Sequence, residues 1–396
     1  MRILMMSDVY FPRVNGVSTS IMTYRTDLID LGHSCTLVVP RYPFPPEVDD
    51  DAAIARIPSW RLPFDPEDRV LKWMKLREWS AAVARDDFDI VHVQTPFTAH
   101  YAGLSVARRL GIPIIETYHT YFEHYLHHYL PMAPQQLTAT AARKLTISQC
   151  HQVDSVIAPS PQMAAALSAY GVSTPLEILP TGLPASAFHP GDGARFRAAF
   201  GIPPLRPVAL FVGRVAHEKN IDFLLRMLPH LRSRVPDVLL VIAGEGPAQK
   251  HIKQRVRSLG LESSVQFVGY MDRANTLRDC YSAADVFVFA SRTETQGLVL
   301  LEALAQGTPV VSTSIMGTAD VLKDVKGGII APEEPDAFAE TAASVLIDKS
   351  LRGSLSALAR LDAQRWASLA MAKRLVEIYE ALIAKAATKS GESRWR

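Results

Sequence analysis

Two glutamates, Glu294 and Glu302, stand eight residues apart in "SRTETQGLVLLEALAQGTPVV", residues 291–311, with Gly297 between them. The preceding "DVFVFAS" is an apolar run rich in β-branched and aromatic residues and reads as a buried strand. The following "LVLLEALAQG" reads as a helix stopped by Gly307. Both carboxylates therefore flank a strand-to-helix junction, where backbone amides ordinarily attract an anion. Carboxylates at such a place suit a ligand that brings hydroxyl donors as well as negative charge. A ribose diol fits Glu302, and hydroxyls of a hexose fit Glu294. The amides of Gly297, Leu298 and Val299 could meet a phosphate or a sugar hydroxyl, with glycine permitting close approach. The plainer alternative is that Glu302 only favours the helix dipole and Glu294 is solvated.

Three further places carry chemistry-bearing residues. In "FVGRVAHEKN", residues 211–220, Arg214 and Lys219 follow a strand and could clamp a diphosphate, as a fork and a point charge. A solvated basic loop is the alternative. "DVYFPRVNGVSTSI" places Asn15 and Gly16 after the first strand and before a helix, without the Gly-rich dinucleotide fingerprint. "PIIETYHTYFEHYLHHYLP" places His119 at the end of a strand, where a structural histidine is the alternative. His124, His127 and His128 follow at helical spacing, but aromatics interleave and no Asp or Cys accompanies them, so no metal is expected there. "AGEGPAQK", residues 243–250, holds only a lone G-x-G.

The elements that must position these residues alternate along the chain. Strand candidates in the first half are "RILMMS", "SCTLVVP", "DIVHVQ", "PIIETYH", "DSVIAPS" and "LEILP", with helical patterns between them, such as 17–32 and 99–110. The rhythm restarts with "VALFVGRV", "DVLLVIAG", "VQFVGY", "DVFVFAS", "PVVST" and "GIIAP". This is the signature of βαβ units and parallel sheets, so the fold class is α/β with two doubly wound, Rossmann-like domains. The expected division is 1–190, a Pro/Gly-rich linker at 191–206, and 207–363, with a terminal helical segment 364–396. Ligands of such sheets bind beyond the carboxyl ends of the strands, and two domains face to face would make a cleft there. The 396 residues, 48% hydrophobic and 21% charged, suit ordinary globular cores. A net charge of +2 gives no case for nucleic acid. Cys35, Cys150 and Cys280 lack metal spacing and read as reduced core thiols. Neither a signal peptide nor a membrane-spanning run is visible, so a cytoplasmic location is expected.

Taken together, these residues resemble the family-4 glycosyltransferases of GT-B fold, nearly end to end. The most specific element is E-x7-E at Glu294 and Glu302; "GRVAHEKN", Gly16 and His119 match the family's other features in order. The resemblance implies a retaining transferase that uses a nucleotide-diphosphate sugar, and the cations Arg214 and Lys219 would stand in for the divalent metal of other transferases, so no metal is expected. It implies that Glu302 holds the ribose, Glu294 the sugar hydroxyls, and Arg214 and Lys219 the diphosphate, with the Gly16 backbone assisting. His119 would attend the anomeric centre or the 6-hydroxyl. The base would lie near "FVGYM", residues 267–271, by Tyr270 and Met271, held largely by backbone. It also implies that the C-terminal helix returns to the first domain. "TQGL" stands where many members have "F-G".

"TETQGL" and "SDVYFPRVNGVSTSI" look most like diacylglycerol glucosyltransferases and other glycolipid-forming members, implying UDP-glucose first and GDP-mannose second. A lipid acceptor fits "WRLPFDPEDRVLKWMKLREW", residues 60–79, where Trp60, Trp73 and Trp79 mix with Arg61, Arg69, Lys72, Lys75 and Arg77. From residue 69 the cations recur at near-helical spacing, and such a segment could lie on an anionic membrane. Ordinary packing of these helices on the sheet is the alternative, favoured by Asp65, Glu67, Asp68 and Glu78. "TYFEHYLHHYLPMAP", residues 120–134, adds aromatics that could line a lipid path. A two-lobed sugar-binding protein, a Rossmann dehydrogenase and a sugar-nucleotide 2-epimerase compete. The phosphate clamp, the missing Gly-rich fingerprint and the E-x7-E pair respectively argue against them.

Overall fold

The computed structural model describes residues 1–13, 15–42, 51–61, 69–83, 87–119, 135–272 and 276–393. These divide into two compact units, Met1–Gly182 with Ser368–Arg396, and Leu183–Ala367. The segment 191–206, expected as a linker, holds the helix Gly193–Ala199 and belongs to the second unit. Its Pro/Gly content reflects close contact: a Cβ at Gly191 or Gly193 would collide with backbone at Arg278 or Ser282.

Among the described residues the first unit builds on a seven-stranded parallel sheet of order β3-β2-β1-β6-β7-β8-β9. Its strands are β1 Arg2–Met6, β2 Ser34–Pro40, β3 Ile54–Ile57, β6 Ile90–Val93, β7 Ile114–Thr117, β8 Ser155–Ala158 and β9 Leu176–Ile178. A separate antiparallel hairpin joins β4 Ser59–Arg61 to β5 Arg69–Leu71. β1, β6, β7 and β8 are buried almost throughout, as expected of strands covered on both faces by crossover helices. The C-terminal helix Ser368–Ser393 completes this core: Ala372, Leu375 and Tyr379 are fully buried with Ile3, Ile21, Ile90 and Ile115. It is separate from the helix Lys349–Gln364 that precedes it.

Among the described residues the second unit repeats the plan with a six-stranded sheet of order β12-β11-β10-β13-β14-β15. Its strands are β10 Val208–Val212, β11 Leu239–Ala243, β12 Val265–Gly269, β13 Val286–Phe289, β14 Val310–Ser312 and β15 Gly328–Ile330. Phe211, Phe287 and Phe289 stack along its centre, and Phe223 meets Phe338 edge-on above it. Cys35, Cys150 and Cys280 are buried free thiols. No helix among the described residues is long and apolar enough to cross a membrane.

In both parallel sheets the order in which strands are added reverses at the centre. In the first, β1 lies between β2 and β6; in the second, β10 lies between β11 and β13. In doubly wound sheets, ligands bind beyond the carboxyl ends of the strands at such a reversal, here between β1 and β6 and between β10 and β13. Gly16 follows β1, Arg214 and Lys219 follow β10, and Glu294 follows β13. His119 follows β7, one strand further along.

Candidate active site

In the second unit the clamp segment is held rigidly from two sides. After β10, Val215 donates to the Glu245 carbonyl at 2.9 Å, and Ala248 donates back to the Val215 carbonyl at 2.9 Å. The two loops press so closely that a Cβ at Gly244 would sit 1.9 Å from the Gly213 carbonyl oxygen, and one at Gly246 2.5 Å from that of Val215. The lone G-x-G of the sequence is thus a packing requirement: it lets the β11 loop buttress the segment that carries Arg214. The chain then makes a single 3-10 turn, His217–Lys219, and leaves it through Asn220, whose φ of 54° is left-handed. Asparagine tolerates that conformation better than most residues. The Asn220 amide also donates to the Ala290 carbonyl at 3.1 Å, tying the turn to the end of β13.

Across that tie lies the glutamate loop. Lys219 Nζ pairs with Glu294 Oε1, both side chains largely buried. The Ser291 hydroxyl donates to the Glu218 carbonyl at 3.3 Å. Gly297 has φ 87° and begins the helix Leu298–Ala305, which stops before Gly307 at φ 73°. Glycine takes such a left-handed conformation at no steric cost. The Gly317 amide donates to the Glu294 carbonyl at 2.8 Å, fixing the loop from its other flank. Glu302, in the middle of the helix, is 7% exposed and accepts a 2.8 Å hydrogen bond from the Tyr281 hydroxyl. A carboxylate has about four lone-pair directions, and the tyrosine occupies one of them. Tyr281 is the residue the sequence did not reveal: it lies on another helix, Thr276–Ser282, with no spacing relation to Glu302. Of the two residues expected near a base, Tyr270 is exposed, while the Met271 side chain belongs to the apolar core and leaves only its backbone to a ligand.

The first unit positions the remaining candidates. Asn15 caps the helix Gly16–Asp30, its side chain accepting from the Ser18 amide at 2.8 Å. Gly16 is exposed at the first position of that helix. His119 Nε2 meets Gln94 Oε1 at 2.8 Å. Gln94 follows β6, is 2% exposed, and its amide N–H donates to the Met6 carbonyl at 2.9 Å. Its place, one residue beyond a strand end in "DIVHVQ", was the only signal for it in the sequence. Desolvation pulls the His119 imidazole down to about 4, so it is neutral at physiological pH and able to exchange hydrogen bonds rather than charge. Asp8, just past β1, is pushed up to about 6 by desolvation, against the opposing hydrogen bonds of Thr98, Ala99 and Thr95.

The 60–79 segment differs from the expected run of helix. Arg69 lies in β5, is buried, and stacks over Tyr42 with its guanidinium carbon 5.3 Å from the ring centroid, so it adds nothing to a surface field. The helix begins only at Trp73 and runs to Ala82. Trp60, Trp73 and Met74 are exposed, Lys72 lies over the Trp60 ring at 4.1 Å, and Lys75 pairs with Glu78 at 2.7 Å. Asp65, Glu67, Asp68, the 120–134 aromatic tract and its His124, His127 and His128 lie outside the described residues.

Residues 14–186 match the domain described as Glycosyltransferase Family 4, and residues 192–362 match Glycosyl transferases group 1. The alpha-monoglucosyldiacylglycerol synthase of Streptococcus pneumoniae is 35% identical over 79% of this chain and 71% of its own length. The GDP-mannose-dependent alpha-mannosyltransferase of Mycobacterium tuberculosis is 28% identical over 98% of this chain and 99% of its own. The structure of a sucrose-phosphate synthase from Thermosynechococcus elongatus superimposes with a TM-score of 0.80 over 97% of this chain and 100% of its own. At 22% identity that likeness speaks for the fold alone. The chain belongs to the family-4 glycosyltransferases, and it is a glycosyltransferase of GT-B fold.

Proposed function

We propose that the enzyme moves a hexose from a nucleotide-diphosphate sugar, UDP-glucose, to a membrane glycerolipid such as diacylglycerol, with retention and without a metal. The observation that carries the donor half is the joined pair of loops at the reversal of the second sheet. There Lys219 meets Glu294, and Gly297 opens a helix that carries Glu302. Departure of a nucleoside diphosphate builds negative charge, and fixed cations and amides that meet it lower the barrier. Arg214, Lys219 and the amides at Gly297, Leu298 and Val299 are the groups of that kind here. With such cations in place, a divalent ion is not needed to offset the charge. Glu302, steadied by Tyr281, would accept from the ribose, and Glu294 from hydroxyls of the sugar. By the family resemblance, the Gly16 backbone would add to the diphosphate contacts and neutral His119 would attend the sugar.

The acceptor half is supported by the exposed Trp60, Trp73 and Met74 amid Arg61, Lys72, Lys75 and Arg77, a combination suited to the headgroup level of an anionic membrane. The name of the pneumococcal relative, a diacylglycerol glucosylating enzyme, points the same way. We therefore place the enzyme peripherally at the cytoplasmic face of a membrane. The mycobacterial relative favours a second reading, GDP-mannose as donor.

The test is a hydrolysis and transfer screen over nucleotide sugars, with diacylglycerol in anionic vesicles and EDTA present. Transfer from UDP-glucose giving an α-linked product by NMR is the expected result. Preference for GDP-mannose would shift the donor, a β-linked product would overturn retention, and loss of activity in EDTA restored by magnesium would overturn metal independence.

A further inference from the structure

Beside the clamp turn, three metal-binding side chains converge that take no part in the donor scheme. His217 opens the 3-10 turn, Asp222 lies in the first turn of the helix Ile221–Arg234, and His251 lies on the helix Gln249–Ser258. A ligand atom from each lies within 4.8 Å of the others. His251 Nε2 is 3.2 Å and 3.1 Å from the two Asp222 carboxylate oxygens, and the two imidazole rings are 5.3 Å apart at their centroids.

We propose that His217, Asp222 and His251 form a binding site for a borderline divalent ion of the zinc class. Two imidazoles and one carboxylate are the donor set such an ion prefers, with a fourth position left to water. A tetrahedral ion with bonds of about 2.0–2.1 Å draws its ligands to roughly 3.4 Å from one another. Both histidines are exposed, so rotation of their side chains can close that difference without moving backbone. Arg255 Nε lies 3.5 Å from Asp222 Oδ1 and competes for that oxygen, leaving Oδ2 as the one to face the ion. An ion bound to His251 Nε2 would take the place of the contact that this nitrogen makes with the Asp222 carboxylate. An ion held there would cross-link the 217–219 turn, and the helix Ile221–Arg234 that continues from it, to the helix Gln249–Ser258.

The experiment is Zn2+ titration of the untagged full chain by equilibrium dialysis, with Co2+ absorption as a reporter of coordination. Wild type should take up one Zn2+ in the micromolar range, and Co2+ should show the visible bands of a four-coordinate site. Loss of an outer hydrogen-bond partner alone weakens metal sites about 10- to 100-fold. His217→Ala and His251→Ala, each removing a direct ligand, should therefore weaken uptake by about 100-fold or abolish it, and Asp222→Asn should weaken it too. His230→Ala, at a histidine that pairs with Asp336 instead, should leave it unchanged. Both histidines are exposed and Asp222 is half-buried, and circular dichroism of each variant verifies the fold. Equal zinc uptake by wild type and the His217/His251 double variant would put the ion elsewhere, for example at His124, His127 and His128, and would overturn the proposal. Absence of saturable uptake by wild type would overturn it as well. The readout is metal binding, so it stands or falls separately from the transfer assay.

Discussion

A methyl group added at Gly16 meets no atom of the protein within 4 Å, and the residue does not have a left-handed backbone. Glycine is therefore not demanded by packing or by conformation at this place. At the start of a helix, alanine is if anything the better residue. Gly16→Ala should leave the unfolding midpoint unchanged or slightly raised. If the backbone here approaches a diphosphate, the same methyl should lower kcat/KM for the donor about tenfold, roughly 1.4 kcal/mol. Unchanged kinetics in a stable variant would remove Gly16 from the site. Lys219 and Glu294 call for a different test, because each is the other's partner. Removing one charge of a largely buried pair leaves the other uncompensated, so single changes overstate its worth. Lys219→Met and Glu294→Gln should each destabilise the second unit. The double variant should be more stable than the sum predicts, by about 0.5–3 kcal/mol. In activity, Lys219→Met should cost roughly 2–4 kcal/mol of transition-state stabilisation, the usual loss for a donor at a developing anion. Additive stabilities would show that the two charges do not interact, and activity of Lys219→Met within threefold of wild type would refute the clamp.

At the scale of elements, the hairpin β4–β5 and the helix Trp73–Ala82 present the aromatic and basic side chains on which the lipid reading rests. Each basic residue near an anionic surface contributes about 1 kcal/mol of attraction, screened by salt within about a Debye length. Reversing Lys72, Lys75 and Arg77 to glutamate should abolish sedimentation with anionic vesicles and cut transfer to diacylglycerol, while donor hydrolysis stays intact. Hydrolysis and transfer falling together would mean the segment serves the fold instead. This region also shows where sequence patterning stops. Strands such as β10 and β13 announce themselves because burial on both faces demands continuous apolar runs. β3, "IARI", lies at a sheet edge and is mostly half-buried, so it carries no such run. β5 is three residues long, and Arg69 within it is buried by stacking on Tyr42, a contact between distant positions that no local spacing encodes. The site divides in the same way. Glu294, the clamp residues and Gly16 follow the strands β13, β10 and β1, and Glu302 lies on the helix beyond Glu294, so their order along the chain shows their place in the fold. Tyr281 and Gln94 act through space on residues of other elements, and only the folded chain brings them there.

For the molecule as a whole, the long-range connection that matters most is the return of the C-terminal helix into the first unit. Tyr379, fully buried, shares its hydroxyl with His92 Nδ1, while His92 Nε2 meets Thr117 Oγ1 at 2.7 Å. Two residues past Thr117 stands His119, so β6, β7 and the C-terminal helix converge on two neutral imidazoles. Desolvation pulls His92 down to about 3, with His119 adding to the shift, and pulls His119 down to about 4, against 6.5 for either group in the unfolded chain. Between pH of about 4 and 6.5 the unfolded chain therefore binds nearly one proton more at each histidine, and stability falls as the solution is acidified. Asp8 acts in the opposite sense. Its carboxyl, pushed up to about 6 from 3.8, holds a proton in the folded state that the unfolded chain has released, so it adds stability at low pH that is lost as pH rises through 6. Near pH 5 the three groups together leave the unfolded chain about one proton ahead, a slope of about 1.4 kcal/mol per pH unit. His119→Asn should remove most of that slope, and Asp8→Asn, which deletes the opposing proton, should nearly double it. Denaturant unfolding of the first unit at several pH values between 4.5 and 6 reads both changes against a background of carboxylates common to all variants. Parallel pH profiles for wild type and the two variants would mean that neither group is desolvated as this packing requires, and would remove the basis for a neutral His119 in the transfer reaction.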